Sequence, residues 1–295
     1  LNVSGNTGGT VNILGEKVGV IGGSIDASGI NGGGTVLVGG DYQGLGIVPN
    51  AAQTFVSGDS TIKADAISNG DGGRVIVWAD ETTRFKGNIT ARGGLVSGNG
   101  GFVEVSGKQS LDFQGAVDLR STFGIAGRLL LDPTDIKIIF GTDPAVGGTF
   151  LEGVFKPSAN TSTISNGTLE NQLTLGSVTI STQSDFERGN NITVNAPISW
   201  KNNNSLTLNS NNNITIDDNI TTTQGGSIIL KAGFDITINK NITTQGGNIT
   251  LNADSDNFKG GGISIVNSTI ETNGGNFVGT ARGTSEFGGA INIQG

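Results

Sequence analysis

The sequence contains no cysteine, no histidine and no methionine, and it has a single tyrosine. Without thiols and imidazoles it can form no disulfide, no Cys/His zinc site, no thiol nucleophile and no Ser-His-Asp triad. Proline is scarce at 5 residues, and aromatic residues make up 5% of the chain. No window approaches the roughly 18 consecutive apolar residues of a membrane-spanning helix, so we expect no membrane insertion.

Negative charge outweighs positive charge, with 25 acidic residues against 17 basic ones and a formal net charge of −8. This balance argues against nucleic acid or an anionic membrane surface as a partner, because both repel an acidic protein. Hydrophobic residues make up 34% of the 295 residues. They recur in a regular pattern, which excludes a disordered chain.

The most abundant residue is glycine, with 51 copies, and its arrangement repeats. Two glycines and any residue are followed by an apolar, any, apolar triplet, and the clearest copies lie about 21 to 28 residues apart. Copies of this pattern begin at Gly8, Gly33, Gly72, Gly100, Gly225, Gly246 and Gly288. The alternation predicts short strands with one buried face, and glycine pairs supply positive φ angles for the corners between strands.

Strands this short, joined by corners of a few residues, leave no room for crossover helices. Parallel neighbours must then come from successive turns of one coil, so we predict an all-β parallel β-helix, also called a β-solenoid. At roughly 22–25 residues per turn the chain would hold roughly 10–12 turns. Asparagines beside the strands suit corners, because asparagine tolerates left-handed backbone and stacks in amide ladders.

One stretch interrupts the rhythm. We predict β-helix turns over 1–140, an irregular insertion packed on the flank of the coil over 141–190, and further turns of the same solenoid over 191–295. The insertion contains prolines and Ser/Thr-rich sequence, and the segment from Thr168 to Leu173 predicts one small helix, with Leu169 and Leu173 on one side.

Several segments in the first half resemble a known family. They are Asp-Tyr-Gln-Gly at 41–44, Pro-Asn-Ala at 49–51, the run from Asn69 to Ala79, the run from Gly100 to Gly107, and Leu-Leu-Leu-Asp-Pro at 129–133. In this order they resemble the large exoproteins of two-partner secretion, the group of filamentous haemagglutinin and high-molecular-weight adhesins. The runs at 191–194 and 197–200 extend the resemblance over most of the chain.

The resemblance implies a right-handed single-stranded parallel β-helix that an outer-membrane transporter of the Omp85 type carries to the cell surface. It also implies adhesion or a role as a surface fibre. We therefore expect a structural or adhesive rod of a secreted, extracellular, non-enzymatic protein, and we consider a surface glycan or cell-surface receptor as its partner. The unpaired strand edges at the two ends of a solenoid favour self-association into fibres.

The alternative is an enzyme, because some β-solenoids are polysaccharide lyases or glycoside hydrolases, and these need paired carboxylates. The candidate pairs are Asp80 with Glu81, Asp132 with Asp135, and Asp217 with Asp218. Neighbouring residues on a strand point to opposite faces, and Asp132 precedes a proline as turn residues do. We therefore interpret all three pairs as solvated surface and predict no catalytic residue.

Aromatic side chains could contact a glycan, and Trp78, Trp200 and Tyr42 are the candidates. Packing within a strand is the alternative for Trp78.

We predict no cofactor and no metal site. The segment that begins at Asp254 starts like a calcium loop but has Lys259 where an EF-hand needs glycine. The Asn-x-Ser/Thr sequons, such as Asn241, have two interpretations, glycosylation as in some members of that family or corner chemistry, and we favour corner chemistry. A third hypothesis is an ice-binding surface of stacked threonines such as Thr222 and Thr244, for which too few turns qualify.

Overall fold

The structure is a computed structural model, and it describes residues 1–141, 148–151, 154–157, 162–182, 190–256, 260–282 and 289–294. Gly288 of the last glycine pair and Lys259 of the calcium-like segment lie outside these residues. The chain divides into two compact units. The first comprises Leu1–Pro133, Ala145–Asn160 and Leu175–Ser177, and the second comprises Thr134–Pro144, Thr161–Thr174 and Val178–Gly295.

The first unit is built from short strands that recur in threes. They are β1 (Thr10–Ile13), β2 (Lys17–Val20), β3 (Ser24–Asp26), β4 (Thr35–Val38), β5 (Gln53–Val56), β6 (Thr61–Lys63), β7 (Arg74–Ala79), β8 (Thr82–Phe85), β9 (Asn88–Thr90), β10 (Phe102–Gly107), β11 (Ser110–Phe113), β12 (Ala116–Asp118) and β13 (Arg128–Leu131). Every third strand pairs in parallel, which gives the sheets β1-β4-β7-β10-β13, β2-β5-β8-β11 and β3-β6-β9-β12. The predicted parallel β-helix is confirmed.

The core of this unit consists of columns of apolar side chains, one from each turn. Val36, Val75, Val103 and Leu129 stand in register on neighbouring strands of the first sheet, and all four are buried. Phe85 stacks on Phe113 in the second sheet, with ring centroids 5.5 Å apart. Burying each such side chain contributes about 1.5–3 kcal/mol before entropy is subtracted, so a turn is stable only within a stack.

The glycine pairs of the first unit allow the backbones of neighbouring segments to approach each other closely. A Cβ atom on Gly72 would lie 2.1 Å from the carbonyl oxygen of Ala91, and one on Gly33 would lie 2.0 Å from that of Ala64. Neither glycine has a positive φ, whereas Gly225 and Gly246 of the later repeats do, at 73° and 84°. The predicted role of positive φ therefore holds for those later pairs, while the earlier ones are glycine because no side chain fits.

The strands that follow are β14 (Ile136–Ile139), β15 (Gly148–Leu151), β16 (Val154–Pro157), β17 (Ser162–Ser165), β18 (Ser177–Ser181), β19 (Ile192–Val194), β20 (Ile198–Trp200), β21 (Leu206–Ser210), β22 (Ile214–Ile216), β23 (Ile220–Thr222), β24 (Ile228–Ala232), β25 (Ile236–Ile238), β26 (Ile242–Thr243), β27 (Ile249–Ala253), β28 (Ile263–Val266), β29 (Ile270–Glu271), β30 (Phe277–Ala281) and β31 (Ile291–Gln294). β15 and β16 pair antiparallel. The second unit repeats the parallel pattern in the orders β18-β21-β24-β27-β30, β17-β14-β19-β22-β25-β28-β31 and β20-β23-β26-β29.

The second unit is more regular than the first. Ile214, Ile236 and Ile263 continue one buried column. At the corners, asparagine side chains of one turn accept hydrogen bonds from the backbone of the next: Asn219 Oδ1 accepts from Asn241 N at 3.1 Å, and Asn241 Oδ1 accepts from Thr269 N at 2.8 Å. These bonds agree with the interpretation of the sequon asparagines as corner residues.

The segment 141–190 contains the predicted small helix, α1 (Asn166–Leu175). Leu169 and Leu173 are buried, as their spacing indicated. The strands β17 and β18 also lie in this segment, and both are rungs of parallel sheets in the second unit. β14 lies between β17 and β19 in the sheet, so the spatial order of these three strands differs from their order in the sequence.

Candidate functional site

The first unit departs from the coil between β4 and β5, where residues 40–51 form a strap over the outer face of the first sheet. The strap contains one turn of 3₁₀ helix, Tyr42–Gly44, whose N-cap Asp41 accepts from Tyr42 N at 2.7 Å. Beneath it the outward-facing side chains Leu37, Ile76 and Trp78 form an apolar cluster, against which Val48 of the strap packs. The strap exists where the outer face of the sheet is apolar and has to be covered.

Asn50 and Asp80 fix one end of the strap. Trp78 Nε1 donates to Asp80 Oδ1 at 3.0 Å, and Asn50 Nδ2 donates to the same oxygen at 3.1 Å and to the carbonyl of Gly44 at 3.0 Å. A Cβ atom on Gly44 would lie 2.7 Å from the Trp78 ring, and Gly44 also has a φ of 66°. Only glycine satisfies both demands at this position.

Two carboxyl groups lie under the strap, and both are fully buried. Glu104 projects from β10, and Asp132 follows β13. The backbone N–H of Gln43 donates to both carboxyl oxygens of Glu104 at 3.2 Å, and Gln43 Nε2 donates to Asp132 Oδ2 at 3.0 Å. Gln43 has a φ of 52°, an uncommon conformation for a residue with a side chain. One strap residue therefore holds both carboxyl groups.

The environment of Glu104 favours its neutral form. Burial raises its pKa to about 8, and the charge of Asp132 acts in the same direction. The hydrogen bonds from the Gln43 backbone and the charge of Arg74 lower the pKa by less than burial raises it. At neutral pH the pair therefore consists mainly of a protonated Glu104 beside Asp132.

A row of larger side chains runs along the edge of the strap. Arg74, Phe102 and Arg128 stand in register on β7, β10 and β13. Arg74 Nη2 lies 2.6 Å from Asp41 Oδ1. Arg128 lies over the Phe102 ring at 5.0 Å from its centroid, and the ring of Tyr42 meets that of Phe102 edge-on at 5.8 Å.

This row forms one wall of an open groove of about 580 Å³, which we call the corner groove. Backbone of the glycine pairs lines it, and its other side carries Asp71, Asn99 and Ile125. The Ile125 side chain is 75% exposed. The volume is in the range of about 300–1,000 Å³ that is typical of ligand sites, and the lining mixes aromatic, cationic, amide and apolar groups.

The structure separates the three aromatic residues that the sequence suggested for glycan contact. Trp78 and Trp200 are 1% and 2% exposed, and the Trp200 indole donates to the carbonyl of Asn204 at 2.8 Å. Their predicted glycan contact is wrong, because a buried indole offers no face to a sugar. Tyr42 is 36% exposed and packs against Phe102. Its glycan contact stays a prediction.

The three carboxylate pairs also differ from one another. Asp80, Glu81 and Asp217 are exposed, in line with the surface interpretation, and Asp218 is half-buried. Asp217 Oδ1 accepts from Asn239 Nδ2 at 2.8 Å. The surface interpretation of Asp132 is wrong, because the strap buries it.

Sequence reasoning missed Glu104, Phe102 and Arg128. The available signal was the alternation of β10 itself: Val103 and Val105 point inward, which places a carboxylate and an aromatic ring on an outer face that is apolar in neighbouring turns.

Among the described residues, no group of three or more His, Cys, Asp or Glu side chains could hold a metal ion. Asp254 is buried, and its Oδ1 accepts from Gly260 N at 3.2 Å. Within the described part of the chain, no helix has the length and apolar character that crossing a membrane requires. No model of a known protein family matches the chain, and no curated protein matches it significantly.

Proposed function

We propose that the chain is a structural and adhesive segment of a secreted bacterial cell-surface exoprotein, and that it does not turn over a substrate. The observation that carries the proposal is the parallel ladder. Each turn uses its inner side chains and backbone to bind the turns next to it, as the columns beginning at Val36 and Ile214 do. What remains free to differ from turn to turn is the outer surface.

The strap supports the proposed kinship with two-partner-secretion exoproteins. The segments on which the resemblance rests are distant in sequence, yet they supply Gln43, Asn50, Arg74, Glu104 and Asp132 of one network. Motifs that meet in one place are better explained by shared structure than by chance recurrence of glycine-rich sequence. Export through an Omp85-type transporter and a place on the cell surface belong to this proposal.

The corner groove is the surface that we propose for adhesion to a surface glycan. Sugar rings have apolar faces that stack on aromatic side chains, and Phe102 is partly exposed in the groove wall. The exposed guanidinium of Arg128 can donate paired hydrogen bonds to hydroxyl, carboxylate or sulfate groups. Asp71 and Asn99 add polar groups on the opposite side.

Binding of the full chain to an array of cell-surface glycans tests this assignment. We expect Phe102→Ala and Arg128→Ala each to weaken binding about tenfold, the effect of losing one good contact of about 1.4 kcal/mol. Lys17→Ala is the matched control, because Lys17 is exposed on β2, away from the groove. Equal binding by all variants would remove the groove from the proposal, and finding the protein only in the cytoplasm of the producing cells would contradict the surface role.

The alternative function is a β-helix polysaccharide lyase or glycoside hydrolase, and one observation favours it. Glu104, whose pKa is raised to about 8, lies beside Asp132 as an acid with a carboxylate partner would. However, both groups are fully buried beneath Gln43, so a polysaccharide could reach them only if the strap lifted. New reducing ends or unsaturated products from a panel of acidic and neutral glycans would favour the enzyme.

A further inference from the structure

Large apolar side chains lie exposed along one corner of the first unit, in the loops that join its third sheet to its first. They are 47–71% exposed. They come from the loops of four successive turns, and we call them the apolar ridge: Ile30, Ile67, Leu95, Val96 and Phe123. In the second unit, the loops at the same place in the repeat carry the exposed polar residues Gln224, Gln245 and Asn273. The coil itself therefore does not require apolar residues at this corner.

Hydrogen bonds between turns hold the loops of the ridge in place. Ile67 N donates to the carbonyl of Gly29 at 2.8 Å, and Leu95 N donates to the carbonyl of Ile67 at 3.3 Å. In the loop of the fourth turn, Ser121 Oγ donates to the carbonyl of Gly98 at 2.6 Å. The apolar side chains thus project from an ordered backbone, so binding a partner does not have to order these loops first.

The size and spacing of the ridge fit a second copy of the chain. The ridge exposes roughly 500 Å² of apolar surface, which is at the upper end of what a monomer exposes. A standard interface buries about 800 Å² on each partner, so the ridge together with its polar flanks has the size that a stable dimer needs. Its side chains recur about every 4.8 Å along the coil. A second copy has the same spacing, so the two ridges can meet in register over all four turns.

The charges on the two sides of the ridge differ. On the side of the third sheet, Arg92 and Arg120 are exposed, and they pair with the more buried Asp65 at 2.8 Å and Asp118 at 2.7 Å. On the side of the first sheet, Asp71 is exposed. A two-fold axis that runs along the ridge would bring the arginine side of one copy opposite the acidic side of the other. A two-fold axis across the ridge would bring arginines opposite arginines.

We propose that the apolar ridge is a dimer interface, at which two copies of this chain pair side by side and in parallel about a two-fold axis along the ridge. Leu95 and Val96 of each copy form the centre of the contact, and Arg92 of one copy lies opposite Asp71 of the other. The pairing uses a corner of the coil and not the ends of its sheets. It does not depend on the proposed adhesion.

The arginines of the corner groove do not disturb this match. Arg74 and Arg128 lie in the groove wall across from Asp71. Arg74 pairs there with Asp41, and Arg128 lies over the Phe102 ring. Asp71 is therefore the charged group nearest to the ridge on this side.

Sedimentation velocity of the full chain at increasing concentrations tests the pairing. We expect a dimer, and Leu95→Ser combined with Val96→Ser should weaken it at least about 100-fold, because the centre of the contact is lost. Ile21→Ser is the matched control, because Ile21 is 74% exposed at another corner, between β2 and β3. Circular dichroism confirms that each variant is folded. A chain that stays monomeric, or equal weakening by both changes, would overturn the proposal.

Single cysteines test the parallel arrangement, because the chain has none of its own. With the axis along the ridge, each ridge residue meets its own copy, so Ile30→Cys and Phe123→Cys should each give a disulfide-linked dimer under mild oxidation. These positions lie three turns apart, about 14 Å along the coil. With the axis across the ridge, at least one of them would lie about 14 Å or more from its copy, beyond the roughly 7 Å that a disulfide spans.

Ile21→Cys is the control for random collision and should not cross-link. Cross-links at only one end of the ridge would overturn the parallel arrangement. A lipid surface is the other kind of partner that could cover apolar loops, and vesicles of phosphatidylcholine test it. We expect no binding to them. Cosedimentation of the chain with these vesicles that is lost in the variant with Leu95→Ser and Val96→Ser would show a membrane contact and would overturn the proposal.

Discussion

Both units are built from turns of parallel strands, but their outer surfaces differ. In the second unit, successive turns such as β21, β24 and β27 carry nearly interchangeable Ile, Leu, Thr and Asn residues in register. In the first unit, the equivalent outer positions carry Arg74, Phe102 and Glu104, and a strap of residues 40–51 leaves the coil to cover them. The comparison shows that regular repeats specify the fold, while specific chemistry occurs where the repeat is broken.

The largest expected effect is a charge in the regular core of the second unit. Ile228 is fully buried, so Ile228→Asp should lower the free energy of unfolding by more than about 4 kcal/mol, because an unpaired charge would be left without water. Chemical denaturation measures the change. Ile229→Asp is the matched control, because the neighbouring side chain is half-buried on the outer face. Similar losses in both variants would contradict the inward and outward alternation.

The next effect concerns the irregular unit and depends on pH. The pKa of Glu104 is about 8 in the folded chain against 4.5 ordinarily, so the stability that its neutral form provides is complete below about pH 4.5 and is lost as the pH rises to about 8. Each pKa unit corresponds to about 1.4 kcal/mol, so the loss is on the order of a few kcal/mol.

Glu104→Gln cannot ionise and should lack this slope. Thermal unfolding of both proteins at pH 4.5, 6 and 8 measures the difference. The stability of the variant relative to that of the parent protein should increase as the pH rises. A constant difference between the two proteins across that range would show that Glu104 does not titrate inside the fold.

A smaller effect is expected from the strap itself. Gln43→Ala removes the donor to Asp132 Oδ2 and keeps the backbone bonds to Glu104. Asp132 Oδ2 would then be buried with one hydrogen-bond donor fewer, which should lower the free energy of unfolding by about 1–3 kcal/mol. Chemical denaturation measures this change. Gln53→Ala is the control, because Gln53 lies just after the strap and its side-chain amide donates to the exposed Glu81 Oε2 at 3.4 Å. A strap that merely lay on the surface would make the two variants equal.

The smallest effect is expected at the asparagine corners of the second unit. Asn241→Ala removes one acceptor for the backbone N–H of Thr269 and should cost about 0.5–1.5 kcal/mol. Lys240→Ala, at the preceding exposed position, should be neutral. Thermal unfolding measures both, and a neutral Asn241→Ala would mean that water replaces the amide without loss.

The parallel coil could be predicted from the sequence because its signals are local and repeated. Glycine pairs before apolar alternation located β4, β7 and β10, and the spacing of Leu169 and Leu173 located α1. The strap site could not be predicted in the same way. Glu104 and Asp132 meet Gln43 across 61 and 89 residues, and each occurs once, so no repeated pattern marks them. The burial of Trp78 could not be predicted for the same reason, because it depends on the strap, and the alternation of β7 gives no sign of the strap.

In the second unit each turn pairs with the turns on either side of it, and similar residues stack in columns from one turn to the next. A tandem duplication of the gene segment that encodes one turn would insert a rung that already matches both neighbours. A coil of this kind should therefore tolerate the gain or loss of one turn, because its stability is close to a sum over neighbouring turns. The strap network should not tolerate such a change, because Gln43, Glu104 and Asp132 come from different turns in a fixed order. A turn inserted between them would separate the hydrogen-bonded partners.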